Sequence, residues 1–137
     1  ADVREVLSVR RALDALAAHE AAEQRTEGDI ATLAEHLRLR RLAIDQNDLA
    51  RFAEHDVAFH LGVAEASHNR LLVGIYASFD VSLRHSVNRN SCLSYGADPS
   101  AADLHGALLR AIEQGDADSA SAAALGVVEQ SARTLNE

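Results

Sequence analysis

The chain has 137 residues, a formal net charge of −8, 47% hydrophobic residues and only 4% aromatic ones, with no lysine, methionine or tryptophan. At this length a single domain burying roughly two thirds of its unfolded surface is expected, and an apolar content carried by Ala and Leu, with one proline, argues against a β-sandwich or barrel. Thirteen arginines face 21 acids, with no basic run longer than Arg10-Arg11 and Arg40-Arg41, so a direct grip on nucleic-acid phosphates is disfavoured.

Cys92 stands alone, which rules out an intramolecular disulfide. An apolar signal segment and a membrane-length apolar run are both lacking, so a cytoplasmic protein is expected. The chain opens at Ala1 rather than Met, with helical periodicity almost at once, as a fragment or processed chain would.

The first apolar stripe runs Val3, Val6, Leu7, Leu13, Ala17 and Ala21 at the spacing of one helix face and stops near Glu23. Thr26 followed by Asp29 resembles a capping pair for a second helix on Ile30, Leu33, Leu37, Leu42 and Ile44. The polar cluster 45–48 is a turn. A third helix carries Leu49, Phe52, Phe59 and Val63 and breaks at Ser67-His68-Asn69, ahead of a fourth on Leu72, Ile75, Phe79, Leu83 and Val87. Residues 88–97, with Cys92, Tyr95 and Gly96, lack period and form the long connection. Asp98-Pro99 reads as an N-cap with proline at the first helical position. The fifth helix then faces Leu104, Leu108, Leu109 and Ile112 inward and closes at Gly115, where Asp116 caps a sixth on Ala120, Ala124, Val127, Ser131 and Leu135. Short turns between six such helices imply an all-α antiparallel bundle in one domain over 1–137.

Polar residues on apolar stripes carry the chemical information, because burying them is costly unless they are paired or used. Asp56 and His60 lie one turn apart on the inner face of the third helix, and His105 lies between Leu104 and Leu108 on the fifth. A carboxylate and an imidazole at i and i+4 can bind one cation, with His105 as a third ligand, a set that suits Zn²⁺ or a similar ion. An Asp-His ion pair beside a separate core histidine fits the same spacing. Arg10, on the first stripe, is either the salt-bridge partner of Asp14 or a bidentate receptor for a small carboxylate. Arg84, near the end of the fourth helix, can assist as a second receptor or stay solvated.

In order and spacing these features resemble the C-terminal effector-binding domain, the FCD domain, of FadR-subfamily GntR-type bacterial transcription regulators. The resemblance rests on three blocks. The first is Val9-Arg10-Arg11-Ala12-Leu13-Asp14, and the second is Asp56-Val57-Ala58-Phe59-His60 followed by Ala66-Ser67-His68-Asn69-Arg70-Leu71-Leu72. The third and most specific runs from His105-Gly106-Ala107-Leu108 to Ala111-Ile112 and Gly115-Asp116. It implies a helical bundle with a central ligand or metal cavity, a homodimer, and a small organic acid as effector. It also implies a divalent metal, Zn or Ni, on Asp56, His60 and His105. Val127 stands where the family places a further histidine, leaving three protein ligands. DNA contact would then belong to an N-terminal winged helix-turn-helix that this chain does not contain.

Two other classes fit parts of the pattern. A structural dimer domain with a degenerate, metal-free pocket would account for Val127. A helical-bundle metalloenzyme is less favoured, since di-iron sites need Glu-x-x-His twice with two further Glu, and this chain offers only Glu65 to His68 at a helix end.

Overall fold

The structure, a computed structural model, describes the backbone of residues 2–86 and 99–135 and the side chains of 2–80 and 104–130. The connection at 88–97, the cap at Asp98 and the side chains of Leu83, Arg84, Val87, Ser131 and Leu135 lie outside the described residues. Within them are six helices: α1 (Val3–Gln24), α2 (Glu27–Asp45), α3 (Leu49–Ala66), α4 (Arg70–Ser86), α5 (Pro99–Glu113) and α6 (Ala117–Leu135).

Helix ends follow local chemistry. Thr26 and Asp29 form a reciprocal capping box, with Thr26 N–H donating to Asp29 Oδ2 at 2.8 Å and Asp29 N–H to Thr26 Oγ1 at 3.1 Å. Asp116 Oδ1 accepts from Ser119 N–H at 3.1 Å and starts α6. Asp48, read from the sequence only as part of a turn, caps α3 by accepting from Arg51 N–H at 3.1 Å. α2 ends on Asn47 and α5 on Gly115, both in the left-handed region at φ 57° and 71°, and each turn closes with a bond back to the helix, Asp48 N–H to Ala43 O and Asp116 N–H to Ala111 O.

α1 packs along α6 and across α3, α2 pairs with α3, and α5 pairs with α6. The main core consists of Ala17, Ala18, Ala21 and Ala22 of α1, Phe59, Val63 and Ala64 of α3, Leu108 and Ile112 of α5, and Ala120 and Ala124 of α6. Small side chains let the helix axes approach closely, and Gly62 shows how closely: a Cβ there would lie 2.9 Å from Leu33 Cδ2 of α2. Arg25, in the turn between α1 and α2, donates to Ile112 O and Glu113 O at 3.1 and 2.7 Å. It thereby ties the C-terminus of α5 to this turn, adding to the bond that Ile112 O already accepts from Gly115 N–H.

Four stripe positions differ from the periodic reading. Val3, in the first turn of α1, is exposed, and so are Leu42, Leu49 and Ile75, because α2 and α3 turn their Arg40/Ala43 and Phe52 sides to each other, and α4 turns Leu72 and Tyr76 to the core.

Candidate effector and metal site

The helical repeat places Asp56 and His60 on one face of α3, and α5 brings His105 against them. His105 is fully buried, His60 is 9% exposed, and the Asp56 side chain is 17% exposed. His60 Nε2 and His105 Nε2 face each other at 3.2 Å. Asp56 Oδ1 lies 3.3 Å from His105 Nε2 and 3.8 Å from His60 Nε2. Phe59 packs against both imidazoles, with ring centroids 5.5 and 5.7 Å away, and so restricts how either can turn.

Burial by itself would raise the Asp56 carboxyl. The hydrogen bond from His105 and the nearby His60 and Arg40 outweigh it and hold Asp56 well below the usual carboxylate range. Burial pushes His60 down to about 4, against the pull of the Asp56 carboxylate. Around pH 7 the cluster therefore offers an ionised carboxylate and a neutral His60, the states in which these groups bind metal ions.

The donor geometry fits such an ion. Bonds of about 2.0–2.1 Å at tetrahedral angles separate ligand atoms by about 3.3 Å, close to the 3.2 and 3.3 Å of two of the three pairs. The third pair is wider, at 3.8 Å. Among the described residues no other group of three or more His, Cys, Asp or Glu comes together in this way. Val127 is buried beside Leu104 and offers no donor, so a tetrahedral ion here would keep a position for water or an anion. Beside His60 a hollow of about 10 Å³ is lined by Asp14, Val63, Leu108 and Ala124, room for roughly one water.

Arg10 and Asp14 pair within α1, Nε to Oδ2 at 3.1 Å, with side chains only 12% and 8% exposed. The structure thus shows Arg10 as the salt-bridge partner of Asp14, and Asp14 borders the same hollow. Tyr76 of α4 hydrogen-bonds to Asp14, and burial pushes its hydroxyl well above the ordinary range. The side chain of Arg84 lies outside the described residues.

Sequence reasoning missed Arg40. Its side chain is 2% exposed, donates from Nε to Asp56 Oδ1 at 2.8 Å, and stacks its guanidinium 4.8 Å from the centroid of the Phe52 ring. A signal existed: Leu33, Leu37, Arg40 and Ile44 follow the helical repeat, so Arg40 lies on the inner stripe of α2. Tyr76 was likewise recoverable from Leu72, Tyr76 and Phe79.

The molecule is an all-α bundle with an Asp-His-His cluster where α3 and α5 meet. The FCD domain matches residues 5–130, and the chain belongs to that family, in agreement with the sequence blocks. It is 35% identical over 119 residues to an L-lactate dehydrogenase operon regulatory protein of Escherichia coli K12, covering 85% of this chain and 45% of that protein. It is 30% identical over 130 residues to the galactonate operon transcriptional repressor of the same organism, covering 94% of this chain and 56% of that protein. The chain therefore spans about half the length of the curated relatives it matches, which are named as regulators and not as enzymes. Among solved structures, E. coli McbR/YncC shares the fold with a TM-score of 0.79 at 19% identity, over 98% of this chain and 64% of that one.

Proposed function

We propose that this chain is the ligand-sensing and dimerisation domain of a bacterial DNA-binding transcription regulator, taking up a small organic acid to modulate operator affinity. The observation that carries the reading is the convergence of Asp56, His60 and His105 within the matched family region. In this reading these residues hold a divalent metal, Zn or Ni, which supplies a Lewis-acidic docking point for an anion. Arg10 and Arg84 serve as carboxylate receptors. Two relatives are named for a galactonate operon and an L-lactate dehydrogenase operon, which makes hydroxy acids the first effectors to try.

An effector changes operator affinity only through its differential affinity for two arrangements of the domain. The proposed site touches α1, α3 and α5, so a bound acid would bias how those helices pack. That bias would reach DNA through a winged helix-turn-helix domain N-terminal to this region in the whole cytoplasmic protein. Support for a homodimer comes from α4, where Leu71 is 74% exposed and Ile75, one turn on, is 47% exposed, a surface suited to a second copy.

The test is a titration with acetate, L-lactate and D-galactonate, with and without Zn²⁺ or Ni²⁺. It is read as melting temperature on this chain and as operator affinity on the full-length regulator. A rise in melting temperature with at least one acid, coupled to a change in operator affinity, is expected. No response under any metal condition would overturn the sensing role. A metal-free pocket is the second reading, favoured by Val127 and by the Arg40 cation already seated on Asp56. Elemental analysis of protein purified without chelators or added metal decides between them.

A further inference from the structure

Arg40 is buried, charged, and given no task by the ligand set above. A guanidinium carries five donors and no acceptor, and it meets a carboxylate best through two parallel N–H bonds from one edge. Nε and Nη2 share such an edge, since Nη2 lies on the side of the plane to which Nε–H points. In this protein that edge is only half used. Nε donates to Asp56 Oδ1 at 2.8 Å, whereas Nη2 is buried with no hydrogen-bond partner. The Phe52 ring against the guanidinium at 4.8 Å restrains it from swinging away.

A buried cationic donor without an acceptor is costly, and an anionic oxygen satisfies it best. The charge count at the site allows one. The Arg40–Asp56 and Arg10–Asp14 pairs each set a cation against their carboxylate, and a divalent ion would add attraction for an arriving acid. We propose that Arg40 is a carboxylate subsite of the effector pocket, with Nη2 donating to an oxygen of the bound acid while Nε keeps Asp56 in place. This rests on the sensing role proposed above and adds to it a residue of α2 that reads the acid directly. It also ties α2 to the ligand, widening the set of helices whose packing an effector can bias.

The test compares wild type with Arg40→Gln and Arg40→Lys, titrated calorimetrically with acetate, L-lactate and D-galactonate, both metal-free and zinc-loaded, with zinc affinity measured alongside. Arg40→Gln should weaken the acids on the order of tenfold or more, and Arg40→Lys, which keeps the charge and loses the fork, should fall between. In wild type, the Arg40 Nη proton resonances should shift as the acid is added, a readout that needs no variant to fold. Acids that bind wild type and Arg40→Gln within about twofold of each other, or Nη resonances that stay still on saturation, would overturn the subsite and leave the sensing role standing. Should no acid bind wild type, both proposals fall together.

Discussion

Two buried ion pairs lie within the same bundle, and they are built differently. Arg10 and Asp14 sit one turn apart on a single helix and form as soon as α1 does, with Tyr76 added from α4. The Asp56 cluster draws on α2, α3 and α5, and three groups crowd one oxygen, Asp56 Oδ1. The first pair satisfies itself. The second leaves two imidazole nitrogens facing each other and an arginine nitrogen without an acceptor, the pattern on which the proposed ligand site rests. The contrast is between a pair formed within one helix and a cluster assembled from three.

The largest expected effect on this contrast comes from Asp56→Ala. It would strand the Arg40 guanidinium, 2% exposed, without its carboxylate, and removing one partner of a buried pair costs about 3–5 kcal/mol. Chemical denaturation of the metal-free protein measures it, and a loss under about 1 kcal/mol would mean that water compensates Arg40.

Acid comes next. His60 is pushed down from an ordinary 6.5 to about 4 in the folded protein, so the unfolded chain takes up the proton first as pH falls. Its contribution is complete above about pH 6.5, declines as pH drops toward 4, and is on the order of a few kcal/mol. Asp56, held below its ordinary value, adds a further loss in the same direction at lower pH. An apo-protein stability that is flat from pH 7 to 4.5 would show that the fold does not hold His60 neutral.

Zinc follows. An ion held at the cluster stabilises the fold by about 2.7 kcal/mol at one hundred times its dissociation constant, seen as a higher melting temperature that a chelator reverses. Val127→His, which supplies a fourth ligand in the manner of the family, should tighten zinc about tenfold or more. Equal zinc affinity in the variant would show that α6 does not reach the ion. The smallest effect belongs to the self-contained pair: Tyr76→Phe removes one hydrogen bond to Asp14, costs about 1 kcal/mol, and should leave zinc affinity unchanged.

Much of the site was legible before any coordinates. Asp56 and His60 at i and i+4 must share a helix face, and His105 between Leu104 and Leu108 must turn inward with them. Arg40 was overlooked because beside Arg41 it reads as a basic dipeptide on a solvated face. Only the partner carboxylate on α3 makes its burial tolerable. Tyr76 lost to Ile75 for a related reason, since both fit an apolar stripe on α4 and the choice rests on which side meets α1 and α3.

The sequence by itself determined what depends on neighbours along the chain: six helices, the Thr26–Asp29 capping box, the Asp116 cap and the glycine stop at Gly115. Capping and periodicity act over three or four residues and need no tertiary partner. Only the tertiary structure decided which of several plausible faces is buried and which polar atoms meet. Leu49 and Ile75 outside, Arg40 on Asp56, and the two imidazoles 3.2 Å apart all depend on helices that are distant in sequence. Burial and ion pairing are set by what packs opposite, and a single helix carries no record of that.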